Sequence, residues 1–268
     1  MPINIRPNRA KRKLLTGQPV LAPSLGANSI PDLDTLEELA SLGVIDVAWI
    51  EMEHGPWTWR ELSDASRVCD LWGITSLVRV NVNNAAVIGR TLDRGVQGIV
   101  VPHVNTSADA ERVVQGALYS PKGMRGVGGF PRQSIAVPDY LKEANDDLMI
   151  VVLLEEVEAI HNLDAILSVD NIDCFYIGAS DLAQSMGPQY LGRPEHPDVQ
   201  AVVQQAIRQV VESGRTAGTT VNDGNVAQFL DMGCRFLRWN AMPYLYEGLQ
   251  RFHATVAHAI ELESQPGS

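Results

Sequence analysis

The sequence predicts an α/β fold, a single (β/α)8 TIM barrel, and three observations carry that expectation. Eight short apolar runs have strand length, the segments between them repeat apolar residues at helical spacing, and 268 residues is close to the about 250 such a barrel needs. A doubly wound open sheet shows the same local alternation, but eight alternating pairs favour closure. The whole chain, 1–268, reads as one domain, with 1–15 as an N-terminal extension and 264–268 as a frayed tail.

In chain order, the first predicted strand is 19–25 (PVLAPSL), followed by a helical pattern over 32–42 that starts on an aspartate. The second is 45–51 (IDVAWIE) with a helix over 58–71, and the third 76–81 (SLVRVN) with a helix over 84–93. The fourth, 97–102 (QGIVVP), leads into a helix over 107–119. Residues 120–137 then break the rhythm. Rich in glycine and proline and too long for a simple connection, they are either a functional loop or a solvent-exposed insertion. Strands at 149–154 (MIVVLL), 173–178 (DCFYIG), 215–220 (RTAGTT) and 235–239 (RFLRW) complete the set, with helical patterns over 158–167, 197–213, 222–232 and 242–262. The strands are nearly continuous apolar runs, as expected where both faces are covered.

Composition narrows the function classes. Hydrophobic residues at 45% and charged residues at 20% are ordinary for a globular protein, and no run of about 18 apolar residues could span a bilayer. The N-terminus, MPINIRPNRAKRKLL, lacks the apolar stretch of a signal peptide, so the expected location is cytoplasmic. Cys69, Cys174 and Cys234 lie far apart with no CxxC pair, which suggests buried, reduced thiols. A net charge of −11 argues against a nucleic-acid surface, and the one basic cluster, Arg9 to Lys13, reads as the solvated start of a helix. An acidic protein can still take an anionic small molecule if a few cations, or a metal, are concentrated in one cleft.

In a βα barrel reactive groups sit at the C-terminal ends of strands, so the informative residues are polar ones just beyond an apolar run. These are Glu51, Glu53 and His54 after the second strand, Arg79 in the third, His103 after the fourth, Glu155 after the fifth and Asp181 after the sixth. Glu155 and Asp181 follow successive strands and so share a rim. They could hold one hard divalent cation, or cap the helices that follow. His54 beside two carboxylates could act as a general base, or be satisfied by backbone groups. Arg79 interrupts an apolar run and must meet a partner, either an anionic substrate or a carboxylate such as Glu53. Gly178 and Ser180, in GAS, would let backbone amides approach an anion at a helix start. No GxGxxG, P-loop, GxSxG or HExxH pattern occurs, which removes the commonest nucleotide, serine-hydrolase and zinc-protease readings.

Taken together, IEMEHGPW, LVRVN with LDRGVQGIVVPHVNT, YSPKGMRGVGG, EEVEAIHNLDAI and YIGASDL occur in one order over about residues 45–187. In these segments the chain resembles the HpcH/HpaI aldolase family, the metal-dependent class II pyruvate aldolases. That resemblance implies a barrel assembled as a trimer of dimers, with the last helix swapped between partners. It implies Glu155 and Asp181 as ligands of a divalent cation (Mg2+, Mn2+ or Co2+) and His54 as the base, with Asp93 working beside it. Arg79 would stabilise the enolate oxygen, and the amides around Gly178, Ser180 and Asp181 would receive a pyruvate carboxylate. The implied reaction is reversible retro-aldol cleavage of a 4-hydroxy-2-oxo acid to pyruvate, or a close analogue, and an aldehyde.

The chain departs from the family pattern near this site. Leu153 replaces a common glutamine, Glu51 stands where aspartate is usual, and His103 where methionine is common. His103 is read equally as a polar contact to substrate or as support for residues beside it. The eighth-strand region, RFLRWNAMPYL, matches poorly. These differences keep two alternatives open: decarboxylation of oxaloacetate or another enolate-forming cleavage on the same site, and a barrel that binds a 2-oxo acid without turnover.

Overall fold

All eight expected strands form, and they form one parallel sheet. In the computed structural model, which describes residues 6–25, 30–128, 132–135 and 137–264, they are β1 (Val20–Ser24), β2 (Val47–Glu51), β3 (Thr75–Arg79), β4 (Gly98–Val101), β5 (Met149–Leu154), β6 (Cys174–Ile177), β7 (Ala217–Thr220) and β8 (Phe236–Asn240). The order β1-β8-β7-β6-β5-β4-β3-β2 follows the chain, and β1 pairs with β8. Asp46 draws β1 and β2 together and brings the barrel close to closure. Its N–H donates to the Leu21 carbonyl at 2.9 Å, and its carboxylate accepts the Leu21 N–H at 2.9 Å and Lys13 Nζ at 2.8 Å.

Strand alternation divides the buried side chains into two layers. Ala48, Ile50, Val78, Ile99, Val152 and Ile177 face outward into the layer beneath the helices. Val47, Trp49, Leu77, Val151, Tyr176 and Phe236 face inward and fill the barrel. Because both faces are buried, the strands read as continuous apolar runs rather than alternating ones.

The helices are α1 (Arg9–Leu15), α2 (Leu33–Ser41), α3 (Trp59–Trp72), α4 (Ala85–Leu92), α5 (Ser107–Ala117), α6 (Tyr140–Asp147), α7 (Val157–His161), α8 (Leu163–Leu167), α9 (Ala179–Met186), α10 (Pro197–Glu212), α11 (Val226–Asp231) and α12 (Met242–Ser264). Three differ from expectation for local reasons. The single helix expected over 158–167 is two, parted at Asn162, whose side-chain N–H donates to the Asn105 carbonyl at 2.9 Å. The helix expected from 222 begins at Val226, because Asn222 closes a polar turn with the N–H of Gly224 at 2.9 Å. Residues 9–15, expected as an extension, form α1, whose buried Ala10 and Leu14 join the inward-facing cluster.

Helix α6 was not anticipated, being short and polar between longer elements, and α9 begins at the GAS segment, where a helix start was expected without a helical range. The break at 120–137 falls where expected, although 129–131 and 136 lie outside the described residues, as do 1–5 and the tail beyond 264. Among the described residues, no helix is long and apolar enough to cross a membrane.

Candidate active site

The inward alternation that fills the barrel with Trp49, Leu77 and Leu153 brings polar residues inward one step further along each strand. Glu51 ends β2, Arg79 ends β3, Glu155 follows β5 and Arg238 lies in β8, and all four are buried. Arg79, Glu155 and Arg238 border a cavity of about 290 Å³ at the C-terminal end of the barrel, together with His54, Gly178, Ser180 and Asp181, and Glu51 is bonded to Arg79.

Arg79 meets carboxylates, one of the partners the sequence offered for it. Its Nε donates to Glu51 Oε2 at 2.6 Å, and its Nη1 lies 2.9 Å from Glu53 Oε2. Glu51, with no exposed surface, also organises the turn beyond β2. Its Oε1 accepts the N–H groups of Glu53 at 2.8 Å and His54 at 3.3 Å, while Trp49 Nε1 donates to Oε2 at 3.4 Å. One buried carboxylate thereby orients the guanidinium and fixes the backbone that carries His54. The His54 ring is solvent-accessible, with Nε2 3.8 Å from Glu53 Oε2.

Glu155 is 1% exposed and accepts the N–H of His103 at 3.0 Å. Burial pushes its carboxyl up to about 7, and the charge of Asp181 adds to the shift against the His103 hydrogen bond and the charges of His103 and Arg79. Gly178 makes this packing possible, since a β-carbon there would lie 3.0 Å from Glu155 Cβ and 3.2 Å from its Oε2. Gly178 is also the N-cap of α9, whose first turn carries Ser180 and Asp181. The free amides of that turn face the same end of the barrel, a setting suited to a carboxylate. Among the described residues no cluster of three or more His, Cys, Asp or Glu side chains forms a ready cation cage; Glu155 and Asp181 are a pair.

His103 stands at the rim with a backbone φ of 55°, held by its Nδ1 hydrogen bond to Glu156 Oε1 at 2.7 Å and by Glu53 Oε1 at 3.4 Å. Burial opposes its charged form, but the Glu156 hydrogen bond and the charges of Glu155, Glu53 and Glu156 outweigh that, so its pKa stands above the ordinary value. Asn105 fixes Glu156 in turn, through a bond of 2.8 Å.

Asp93 is not brought to this cavity within the chain. It caps the C-terminus of α4, at the end where β4 begins, and pairs with Arg125 at 2.8 Å. Sequence reasoning passed over Arg238, which borders the cavity, whereas Glu53, expected as a partner of Arg79, is found to bridge Arg79 and both histidines. The signal for Arg238 was available, since it interrupts the apolar run RFLRW as Arg79 interrupts LVRVN.

Residues 32–242 match the model of the family described as HpcH/HpaI aldolase/citrate lyase. A hydroxypyruvate/pyruvate aldolase of Cupriavidus necator is 37% identical over 220 residues, covering 81% of each chain. A 4-hydroxy-2-oxo-heptane-1,7-dioate aldolase of Escherichia coli is 34% identical over 234 residues, covering 86% of this chain and 87% of that one. Among solved structures, an HpcH/HpaI aldolase/citrate lyase family protein from Burkholderia cenocepacia superimposes with a TM-score of 0.83 at 26% identity, covering 93% of this chain and 99% of its own.

Proposed function

This chain belongs to the HpcH/HpaI aldolase/citrate lyase family, and on that premise we propose that it is a carbon–carbon lyase cleaving 4-hydroxy-2-oxo acids to pyruvate, or a close analogue, and an aldehyde. The observation that carries this reading is a carboxylate pair, buried Glu155 and partly exposed Asp181, sharing one cavity with Arg79 and His54.

The donor set fits a hard divalent cation. Two carboxylates at adjacent strand ends, one with its pKa raised by burial and by the other's charge, are the arrangement a cation between them would relieve. Mg2+, Mn2+ or Co2+ held there would supply Lewis acidity toward the oxygens of a 2-oxo acid.

The chain's own groups account for the remaining work. The amides at the start of α9 receive the substrate carboxylate, aided by the partial positive charge of the helix end. As the bond between C3 and C4 breaks, its electron pair moves toward the 2-oxo oxygen. Arg79, held by Glu51 and Glu53, offers its guanidinium to that developing charge without having to reorganise. His54 takes the proton from the C4 hydroxyl and returns it to C3, with Glu53 stabilising the charged ring in between. His103 braces Glu155 and Glu156.

The test is pyruvate release from a 4-hydroxy-2-oxo acid. Treatment with EDTA should abolish it, and added Mn2+, Mg2+ or Co2+ should restore it. Turnover indifferent to chelation would sink the metal assignment.

The partners of this reading are a 2-oxo acid, an aldehyde and further copies of the chain. Helix α12 supports a homo-oligomer in which the last helix is exchanged, because Leu249, Phe252 and Ile260 along it are exposed. Asp93 points the same way: lying far from its own chain's cavity, it would enter the chemistry only in a neighbouring copy's site. A hexamer arranged as a trimer of dimers is the expected assembly. Light scattering of the intact chain checks it, and a monomer at micromolar concentration would refute it.

A further inference from the structure

The cavity is larger than a three-carbon acid requires, and it extends from the Glu155 and Asp181 rim to a wall formed by β7, β8 and β1. Resting on the aldolase reading above, we propose that Arg238 on that wall receives an anionic group at the aldehyde end of the substrate. The chain would then prefer acceptor aldehydes bearing a carboxylate or a phosphate over neutral ones.

Arg238 is built into place. It points inward from β8, between the short side chains of its ladder neighbours Ala22 on β1 and Thr220 on β7. Beneath it Trp49, Tyr176 and Phe236 pack as an aromatic floor, with ring centroids 5.4 to 6.1 Å apart. The guanidinium carbon lies 4.8 Å over the Trp49 ring. The Tyr176 hydroxyl shares a hydrogen bond of 2.6 Å with Thr220 and also interacts with Arg238. A planar guanidinium settled on an aromatic face keeps its fork of donors oriented, which suits two-point recognition of a carboxylate or phosphate. At 8% exposure the charge is largely removed from water, so an anion reaching it meets little competition from solvent.

The charges in the cavity are segregated. Arg79, held by Glu51 and Glu53, and the amides of α9 serve the 2-oxo acid end of the substrate. An anionic tail at the aldehyde end of the same substrate would be met by Arg238 at the β8 wall. In a protein of net charge −11, a buried arginine there is a local reversal of the general field.

The experiment compares matched acceptors in aldol addition to pyruvate with Mn2+: succinic semialdehyde against butanal, and glyceraldehyde 3-phosphate against glyceraldehyde. For the wild type kcat/KM should favour the charged member of at least one pair by about 10- to 100-fold, the size of one charge-assisted contact. The pair showing the preference identifies carboxylate or phosphate as the recognised group. In Arg238→Gln the ratio should fall toward one, mainly through a higher KM for the charged acceptor, and Arg238→Lys should recover part of it. Equal kcat/KM within both pairs for the wild type, which needs no variant, overturns the proposal. So does a ratio unchanged by Arg238→Gln.

Titration calorimetry with succinate and with glycerol 3-phosphate separates this from failure of the aldolase reading. Should pyruvate show neither turnover nor proton exchange at C3, that reading fails, while weaker anion binding in Arg238→Gln still upholds the anion subsite. Equal binding by the two proteins, or none by either, removes it.

Discussion

Replacing Glu51 by glutamine removes one negative charge from a site with no exposed surface while keeping the side chain's shape. The amide oxygen can still accept the N–H groups of Glu53 and His54, so the turn beyond β2 survives. The amide N–H2 then faces Arg79 Nε at the position where Oε2 accepted a bond of 2.6 Å, setting donor against donor. A hydrogen bond to a charged group contributes about 1.5–3 kcal/mol, and Glu53, 2.9 Å from the other arm of the guanidinium, keeps the arginine from being left wholly uncompensated. The expected loss of stability is therefore about 2 kcal/mol, a fall in Tm of roughly 4–8 °C for a chain of this size.

The kinetic effect should exceed the stability effect. A guanidinium pushed off its aim no longer meets the charge that develops on the 2-oxo oxygen, and losing one such donor costs about 10²- to 10³-fold in kcat. KM should change little, since the substrate carboxylate and the proposed cation site are untouched. The assay is pyruvate release coupled to lactate dehydrogenase, with kcat and KM resolved, beside thermal unfolding of the same samples. Wild-type kcat in a protein of lowered Tm would refute the positioning argument and leave Glu51 with a purely structural role. Glu51→Asp, which restores the residue common in the family and keeps the charge, should recover part of kcat.

Gly178→Ala tests close approach without backbone strain, because Gly178 has an ordinary φ of −90°. The added methyl, 3.0 Å from Glu155 Cβ, should displace that carboxylate and lower kcat by about 100-fold, at about 1–3 kcal/mol of stability; wild-type kinetics would show that the contact is immaterial. The three thiols should resist labelling by a disulfide reagent at pH 8 in the folded protein and react together in denaturant. Burial raises Cys174 well above its ordinary pKa and pushes Cys234 up to about 12, so almost no thiolate is present. Fast labelling of the native chain would contradict that burial.

The eight strands and the rim residues were legible because each is a local signal. An apolar run ended by a charged residue, as in VAWIE or MIVVLL followed by Glu155, marks a buried strand and its functional end together. Helix boundaries were less legible at Asn162 and Asn222, where side chains compete for backbone hydrogen bonds over distances that periodicity does not sense.

Some assignments depended on contacts between distant segments. The sequence offered Arg79 an anionic substrate or a carboxylate such as Glu53, and the packing of β2 beside β3 gave it Glu51 as well as Glu53. Asp93 is in register with the family's motif, yet its pairing with Arg125, 32 residues away, puts it at the other end of its own barrel. Arg238 was as visible in the sequence as Arg79, but its position over Trp49 arises only when β8 closes onto β1.

The sequence by itself therefore determined the fold class and the inventory of charged groups at the strand ends, since both follow from patterns within a few residues. The tertiary structure decided which charges neutralise one another and which border the cavity. Those pairings depend on through-space distances of about 3 Å between strands far apart in the chain, which no local pattern encodes.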